Sequence, residues 1–166
     1  MMNENFSGNN VQENYSFWNQ KLTNARNLWE NDETEYNSII NDYENYNTQD
    51  MLEINELKKT LDRNTKSDLD NKWRHIRHLL RNLKRHKFPE YKTAFDSYNR
   101  NWGTRWNDRN DAKNNNDSKR EEYISAKDDF NDKFNEFRNI VDELNTPEKR
   151  LERCNTNLTK KTNKIS

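Results

Sequence analysis

The 166-residue sequence contains one cysteine, two glycines and two prolines, and each shortage excludes a class of structure. Because Cys154 has no second cysteine to pair with, neither a disulfide within the chain nor a cysteine-based zinc site can form. Sandwiches, barrels and doubly wound sheets need many turns, and turns rely on glycine and proline. The scarcity of both residues therefore argues against these folds.

Apolar residues are also scarce, at 29% of the chain, and no apolar run is long enough to span a membrane. Leu, Ile, Val and Phe together number 28, a content typical of disordered proteins. Disorder also favours a large net charge, whereas 29 basic residues here balance 29 acidic ones. Aromatic residues make up a generous 11% of the chain. This composition predicts long, polar helices.

Asparagine is the most abundant residue, with 31 copies. Asparagine codons are AT-rich, so we expect the gene to come from an AT-rich genome. The first twelve residues are polar and lack the apolar stretch of a secretory signal peptide. We therefore expect an intracellular, cytoplasmic location or the interior of a virion.

Apolar and aromatic residues recur at alternating spacings of three and four, which indicates a buried face on each of several helices. We expect a disordered arm over residues 1–13, a helical bundle over 14–158 and a basic tail over 159–166. The predicted helices are 15–46, 50–87 with a break near 64–67, 89–106, 118–145 and 147–158. The polar segment 107–117 is predicted to be a loop. The expected fold class is all-α, an elongated antiparallel bundle of long, coiled-coil-like helices with aromatic seams.

The buried seams of these helices are expected to be mostly aromatic. Asp32 is the one polar residue at a seam position of the first helix, so it marks the weak point of that seam. The candidate seam residues are Trp18, Leu22, Trp29, Tyr36, Ile39, Tyr43, Trp73, Ile76, Leu80, Leu83, Phe95, Trp102, Trp106, Phe130, Phe134, Phe137 and Val141.

The balanced total charge conceals alternating acidic and basic segments. Residues 1–53 carry a net charge of −8, and residues 54–92 carry a net charge of +7. Helical spacing places several cations of the basic segment on one side of their helix. We call this set the basic stripe, and it consists of Arg74, Arg77, Arg81, Lys84, Arg85 and Lys87. The stripe is the candidate binding surface for a polyanion or a protein partner.

Two interpretations of this charge pattern compete. The favoured one pairs the acidic first helix with the basic helix, within one chain or between subunits. It predicts a non-enzymatic structural or scaffold protein, a helical component of a cytoskeletal, virion or other assembly, with protein partners in a homo- or hetero-oligomer. The alternative is a nucleic-acid-binding protein that lays the basic helix 72–92 on a phosphate backbone. A membrane surface or a calmodulin-like groove is a third option for a basic amphipathic helix.

Residues that commonly carry catalysis are few and scattered. The three histidines, His75, His78 and His86, all lie in the basic helix, where neighbouring arginines oppose a metal cation. Gly8 and Gly103 stand alone, so there is no glycine-rich phosphate loop. Cys154 lies on the apolar stripe of the last predicted helix, which favours a packed thiol over a nucleophile. We therefore expect no enzymatic activity, no cofactor, no metal site and no small-molecule substrate.

Overall fold

The computed structural model describes residues 8–101 and 106–155, with side chains placed from residue 15 onward. All the secondary structure in these residues is helical, so the predicted all-α class is confirmed. The helices are α1 (Gly8–Asn45), α2 (Met51–Lys58), α3 (Arg63–Asn82), α4 (Phe88–Arg100) and α5 (Trp106–Leu144). Residues 147–155 are helical as well. Two π-helical segments, Tyr46–Asp50 and Leu83–Lys87, precede α2 and α4.

The chain forms two compact units. The first unit comprises the described residues within Met1–Asn41 and Lys84–Ser125. The second unit comprises those within Asp42–Leu83 and Ala126–Ser166. Helices α1 and α5 each contribute residues to both units, so each unit has its own core along a different stretch of the same helices.

The core of the first unit is built from rings on α1, α4 and α5. The Trp29 ring stacks on Phe88 and on Phe95, with centroid distances of 5.4 and 5.3 Å. The Tyr36 ring also stacks on Phe88, with a centroid distance of 3.7 Å. The Tyr123 ring of α5 lies 5.6 Å from the same Phe88 ring. Each such aromatic pair contributes about 0.5–1.5 kcal/mol beyond the area that it buries. Ring contacts therefore hold together a unit that has few aliphatic residues.

The core of the second unit is also built mainly from contacts between aromatic rings. Tyr43 stacks on Trp73 of α3 at 5.3 Å, with an angle of 7° between the ring planes. Tyr46 and Phe134 meet edge to face at 5.3 Å, and Phe137 of α5 lies 5.1 Å from Trp73. Aliphatic residues complete this core, since Leu69, Ile76 and Leu80 of α3 are buried, as is Leu83 at the start of the following π-helical segment.

Two links that the sequence predicts as helix boundaries are π-helical turns in the structure. Asp50, the first residue of the second predicted helix, makes no side-chain cap hydrogen bond, because Tyr46–Asp50 continues the helical backbone into α2. Pro89 lies in the first turn of α4, directly after the π-helical segment Leu83–Lys87. A π turn hydrogen-bonds five residues apart, so it accommodates the missing N–H of proline without a loop.

The break in the second predicted helix lies at residues 59–62, so the expected position at 64–67 is wrong. The backbone N–H groups of Lys59, Thr60 and Leu61 each donate to a carbonyl three residues earlier, which ends α2 in a tightened turn. Asp62 has an extended backbone, and its carboxylate accepts a 2.7 Å hydrogen bond from the Thr65 N–H. Asp is as good an N-cap residue as Ser, and Ser67, at the end of the expected break, lies inside α3.

The segment 107–117, predicted as a loop, is part of α5, and this prediction is wrong. Ala112 and Asn116 are buried, and the Arg109 guanidinium lies 4.6 Å from the centre of the Trp18 ring. Positions 109, 112 and 116 have helical spacing and form the inward face of this part of α5. Because two of these three residues are polar, hydropathy alone does not detect the face.

The ends of the chain also differ from the predictions. Residues 8–13, predicted to belong to a disordered arm, are the first residues of α1, because helical backbone can extend beyond the packed face that periodicity detects. Near the other end, Cys154 is exposed and Leu151 is 62% exposed, so the thiol is not packed as expected. Residues 1–7, 102–105 and 156–166, including Trp102 and the predicted basic tail, lie outside the described residues.

Candidate functional site

A buried carboxylate lies at the seam position that the sequence marks as weakest. The Asp32 side chain of α1 is buried, and three donors from two other helices reach it. The Tyr91 hydroxyl of α4 donates to Oδ2 at 2.7 Å. Arg120 of α5 donates from Nε to the same oxygen at 2.7 Å and from Nη2 to Oδ1 at 3.3 Å. One charged centre therefore connects all three helices of the first unit.

The protonation behaviour of the donors follows from this geometry. Burial raises the pKa of Tyr91, and the hydrogen bond to the Asp32 carboxylate raises it further. The hydrogen bonds to Asp32 likewise raise the pKa of Arg120. Both donors therefore keep their protons at neutral pH, which suits an arrangement that fixes the packing of three helices.

Most of the candidate seam residues are buried. The buried ones are Trp18, Leu22, Trp29, Tyr43, Trp73, Ile76, Leu80, Leu83, Phe95, Phe130, Phe134, Phe137 and Val141. Tyr36, Ile39 and Trp106 are half-buried, and Trp102 lies outside the described residues. Sequence reasoning missed Phe88, although it lies seven residues before Phe95 and so shares the period of that seam. It also missed Arg120, for which a hydropathy pattern carries no signal.

The basic stripe is exposed except at its end. Arg74, Arg77, Arg81, Lys84 and Arg85 are exposed, whereas Lys87 is half-buried with its Nζ 3.5 Å from a Glu122 carboxylate oxygen. Arg74 donates to the amide oxygen of Asn71 at 3.3 Å. Within each unit, the described residues include no carboxylate at ion-pair distance from the five exposed cations. The expected pairing between the stripe and the acidic first helix is therefore not made inside either unit.

Two acids of α1 pair with arginines of α5. Besides Asp32, which pairs with Arg120, Asp42 accepts a 2.9 Å hydrogen bond from Nη2 of Arg138. Five further acids of the acidic segment are exposed, and within their units the described residues provide them with no basic partner. These exposed acids are Glu30 and Glu33 in the first unit and Glu44, Asp50 and Glu53 in the second. The charge segregation of the sequence thus leaves unpaired charges of both signs.

The three histidines are exposed on the same helical segment as the stripe. Across residues 8–101 and 106–155, no group of three or more His, Cys, Asp or Glu side chains is arranged to hold a metal ion. None of the helices in these residues has the length and apolar character needed to cross a membrane.

Comparison with known proteins does not extend these observations. No family model matches the chain, and neither a curated protein nor a solved structure is significantly similar to it.

Proposed function

We propose that the protein is a non-enzymatic structural protein, a helical component of a larger assembly in which copies associate through oppositely charged helices. In this proposal each unit is a small antiparallel bundle with coiled-coil-like seams. The assembly is intracellular or lies inside a virion, and it contains further copies of the chain or other protein partners.

The observation that carries this proposal is the set of five exposed cations in the basic stripe that have no acidic partner within their units. The same chain exposes unpaired acids on α1 and α2, such as Glu33 and Glu53. Surfaces of opposite charge steer association and set partner orientation more than they add affinity. Copies of one chain that carry both surfaces can therefore pair with one another.

An acidic helix of one copy that meets the basic stripe of another makes a contact between two different surfaces. Such a heterologous contact leaves one surface of each kind unpaired at the ends, so it continues into a ring or an open filament. Each exposed ion pair contributes about 0–1 kcal/mol. Three ion pairs in one contact therefore lower the dissociation constant by about tenfold. Repeated contacts along an assembly increase this effect.

Sedimentation velocity on the purified chain tests this proposal. We expect oligomers at low salt that dissociate as salt screens the ion pairs, and a shift towards the monomer when Arg74, Arg77 and Arg81 are all replaced by Gln. The matched control replaces Lys59, Lys133 and Lys149 by Gln, which removes the same charge away from the stripe. A monomer at all salt concentrations would contradict self-association, and equal effects of the two triple variants would show that the stripe has no special part.

Nucleic-acid binding is the second candidate, and the spacing of the stripe favours it. Arg74, Arg77 and Arg81 of α3 are exposed at intervals of three and four residues, so they follow one side of that helix. A duplex contacted by these three arginines would bind with a log–log salt slope of about −2.7. Fluorescence anisotropy with labelled DNA and RNA distinguishes the candidates. Tight, salt-dependent binding that the Arg-to-Gln triple variant abolishes would place nucleic acid ahead of self-association.

A further inference from the structure

The outward face of α5 in the second unit is acidic. Residues 126–144 carry six acids against three bases, a net charge of −3. Steps of three, four and seven residues align four exposed acids along one side of the helix. We call this set the acidic row, and it consists of Asp129, Asp132, Glu136 and Glu143. The second unit therefore exposes a surface of negative charge as well as the arginines of the basic stripe.

Most of the acidic row has no basic partner. Three of its four carboxylates have no basic group at ion-pair distance among the described residues of the second unit. Glu136 is the exception, since Nζ of Lys72 lies 3.9 Å and Nζ of Lys133 lies 3.7 Å from its carboxylate oxygens. Both distances are close to the limit of about 4 Å for an ion pair. The row therefore presents uncompensated negative charge to solvent.

The spacing of the acidic row matches that of the basic stripe. The exposed arginines of α3 and the first three acids of the row follow the same steps along their helices, three residues and then four. At a rise of 1.5 Å per residue, each set of three spans about 10.5 Å. Two such helices lying side by side in parallel bring three opposite charges together. These pairs are Arg74 with Asp129, Arg77 with Asp132 and Arg81 with Glu136.

The acids of α1 and of the segment that leads into α2 do not match the stripe in this way. Glu30 and Glu33 are three residues apart, but the next position of the pattern is an asparagine. Asp50 and Glu53 have the same separation, and the next position is the buried Leu57. Each of these segments therefore offers two acids where α5 offers three.

The two rows of one unit are held apart by its core. The Trp73 ring of α3 lies 5.1 Å from Phe137 and 6.3 Å from Phe134 of α5. These ring contacts fix α3 against α5, and in this packing no arginine of the stripe reaches a carboxylate of the row. A second copy of the chain supplies the opposite row without any change in the core.

We propose that the acidic row of α5 is the surface that binds the basic stripe of a second copy of the chain. This inference rests on the proposed self-association, and it specifies which acids take part. Each copy offers its stripe to one neighbour and its acidic row to another, so the contact is head-to-tail. Like charges three and four residues apart repel one another on a helix, so each row also stabilises the helix that it binds.

Charge reversal tests the proposal by sedimentation velocity of the full chain at low salt. One variant combines Asp129→Lys with Asp132→Lys, and another combines Arg74→Glu with Arg77→Glu. We expect each variant to self-associate at least about tenfold more weakly than the unaltered chain, because like charges then face each other across the contact. The variant with all four substitutions should recover self-association, since its stripe and row are again opposite in charge. This recovery also shows that the substitutions do not prevent folding.

A matched control separates the acidic row from total charge and from the acids of α1. Glu30→Lys with Glu33→Lys changes the net charge by the same amount, and this variant should associate as the unaltered chain does. Added to the Arg-to-Glu variant, the same two substitutions restore the net charge but should not restore association. If the Asp-to-Lys variant fails to fold, Asp129→Asn with Asp132→Asn should weaken association in the same direction.

The outcomes distinguish this inference from the proposed function. An unaltered chain that is monomeric at low salt would contradict self-association itself and overturn both. An unaltered chain that associates, together with an Asp-to-Lys variant that associates equally well, would overturn the assignment to α5 alone. Recovery by the α1 substitutions instead of the α5 substitutions would place the acidic partner surface on α1.

Discussion

Arg120 on α5 donates two hydrogen bonds to the buried carboxylate of Asp32 on α1, although 88 residues separate them in the sequence. The same carboxylate accepts a third hydrogen bond from Tyr91. A buried charge is tolerated only when it is paired and its lone pairs are satisfied, and this one meets both conditions.

We expect Asp32→Ala to lower the free energy of unfolding by about 2–4 kcal/mol, because the Arg120 guanidinium and the Tyr91 hydroxyl both lose their hydrogen bonds to the Asp32 carboxylate. This loss is smaller than the loss expected on breaking a fully buried ion pair, because the Arg120 side chain is 30% exposed. Urea denaturation measures the change, and Asp42→Ala is the control. Asp42 pairs with Arg138 at the surface, so its loss should cost less than about 1 kcal/mol. Equal costs for the two variants would show that burial of Asp32 contributes nothing.

The helical state of residues 107–117 predicts a large effect of proline. Asn114→Pro should cost about 3 kcal/mol or more, because proline removes a hydrogen bond inside α5 and clashes with the preceding turn. Asn114→Ala at the same exposed position should instead stabilise the chain by a few tenths of a kcal/mol, since alanine has the higher helix propensity. Thermal melts followed by circular dichroism compare the two variants. A melting temperature unchanged by proline would mean that this segment is a loop in solution.

Neighbouring residues on α1 test the aromatic core of the first unit. Trp29 is buried among Phe88, Tyr91 and Phe95, so Trp29→Ala should cost about 3–5 kcal/mol. Leu28, the preceding residue, is 43% exposed, and Leu28→Ala should cost less than about 1 kcal/mol. Chemical denaturation of both variants gives the difference. A small cost at Trp29 would show that the ring contacts do not hold this unit together.

Buried tyrosines predict a loss of stability at alkaline pH. Burial raises the pKa of Tyr46 and of Tyr98 from the ordinary value of 10.0 to about 12. Below pH 10 these groups are protonated in both the folded and the unfolded chain, so their contribution does not change with pH. Between pH 10 and 12 the unfolded chain loses these protons first, and the free energy of unfolding falls as pH rises.

An alkaline titration followed by phenolate absorbance and by circular dichroism tests this loss of stability. Phenolate absorbance should rise together with the loss of the helical circular dichroism signal, because buried tyrosines ionise as the chain unfolds. Tyr46→Phe should move the unfolding midpoint to higher pH. Complete phenolate formation while the helical signal is retained would contradict the burial of these rings.

Much of the fold was predictable because helical periodicity depends only on local spacing. Trp18, Leu22, Trp29, Tyr43 and the aromatic residues of α5 follow alternating steps of three and four, and these residues are buried. The predictions failed where polar side chains take inward or capping positions. Asn116 is buried in a segment that hydropathy assigns to a loop, and Asp62, outside the expected break at 64–67, caps α3.

The sequence by itself determined the all-α class, the helical faces and the segregation of charge, because each depends on residue types and their spacing along one chain. Only the tertiary structure decided which charges meet. It joined Asp32 to Arg120 and Asp42 to Arg138, and it left Arg74, Arg77 and Arg81 exposed. Net charge describes a segment as a whole, whereas an ion pair needs two atoms within a few ångströms, and only the packing of the helices sets that distance.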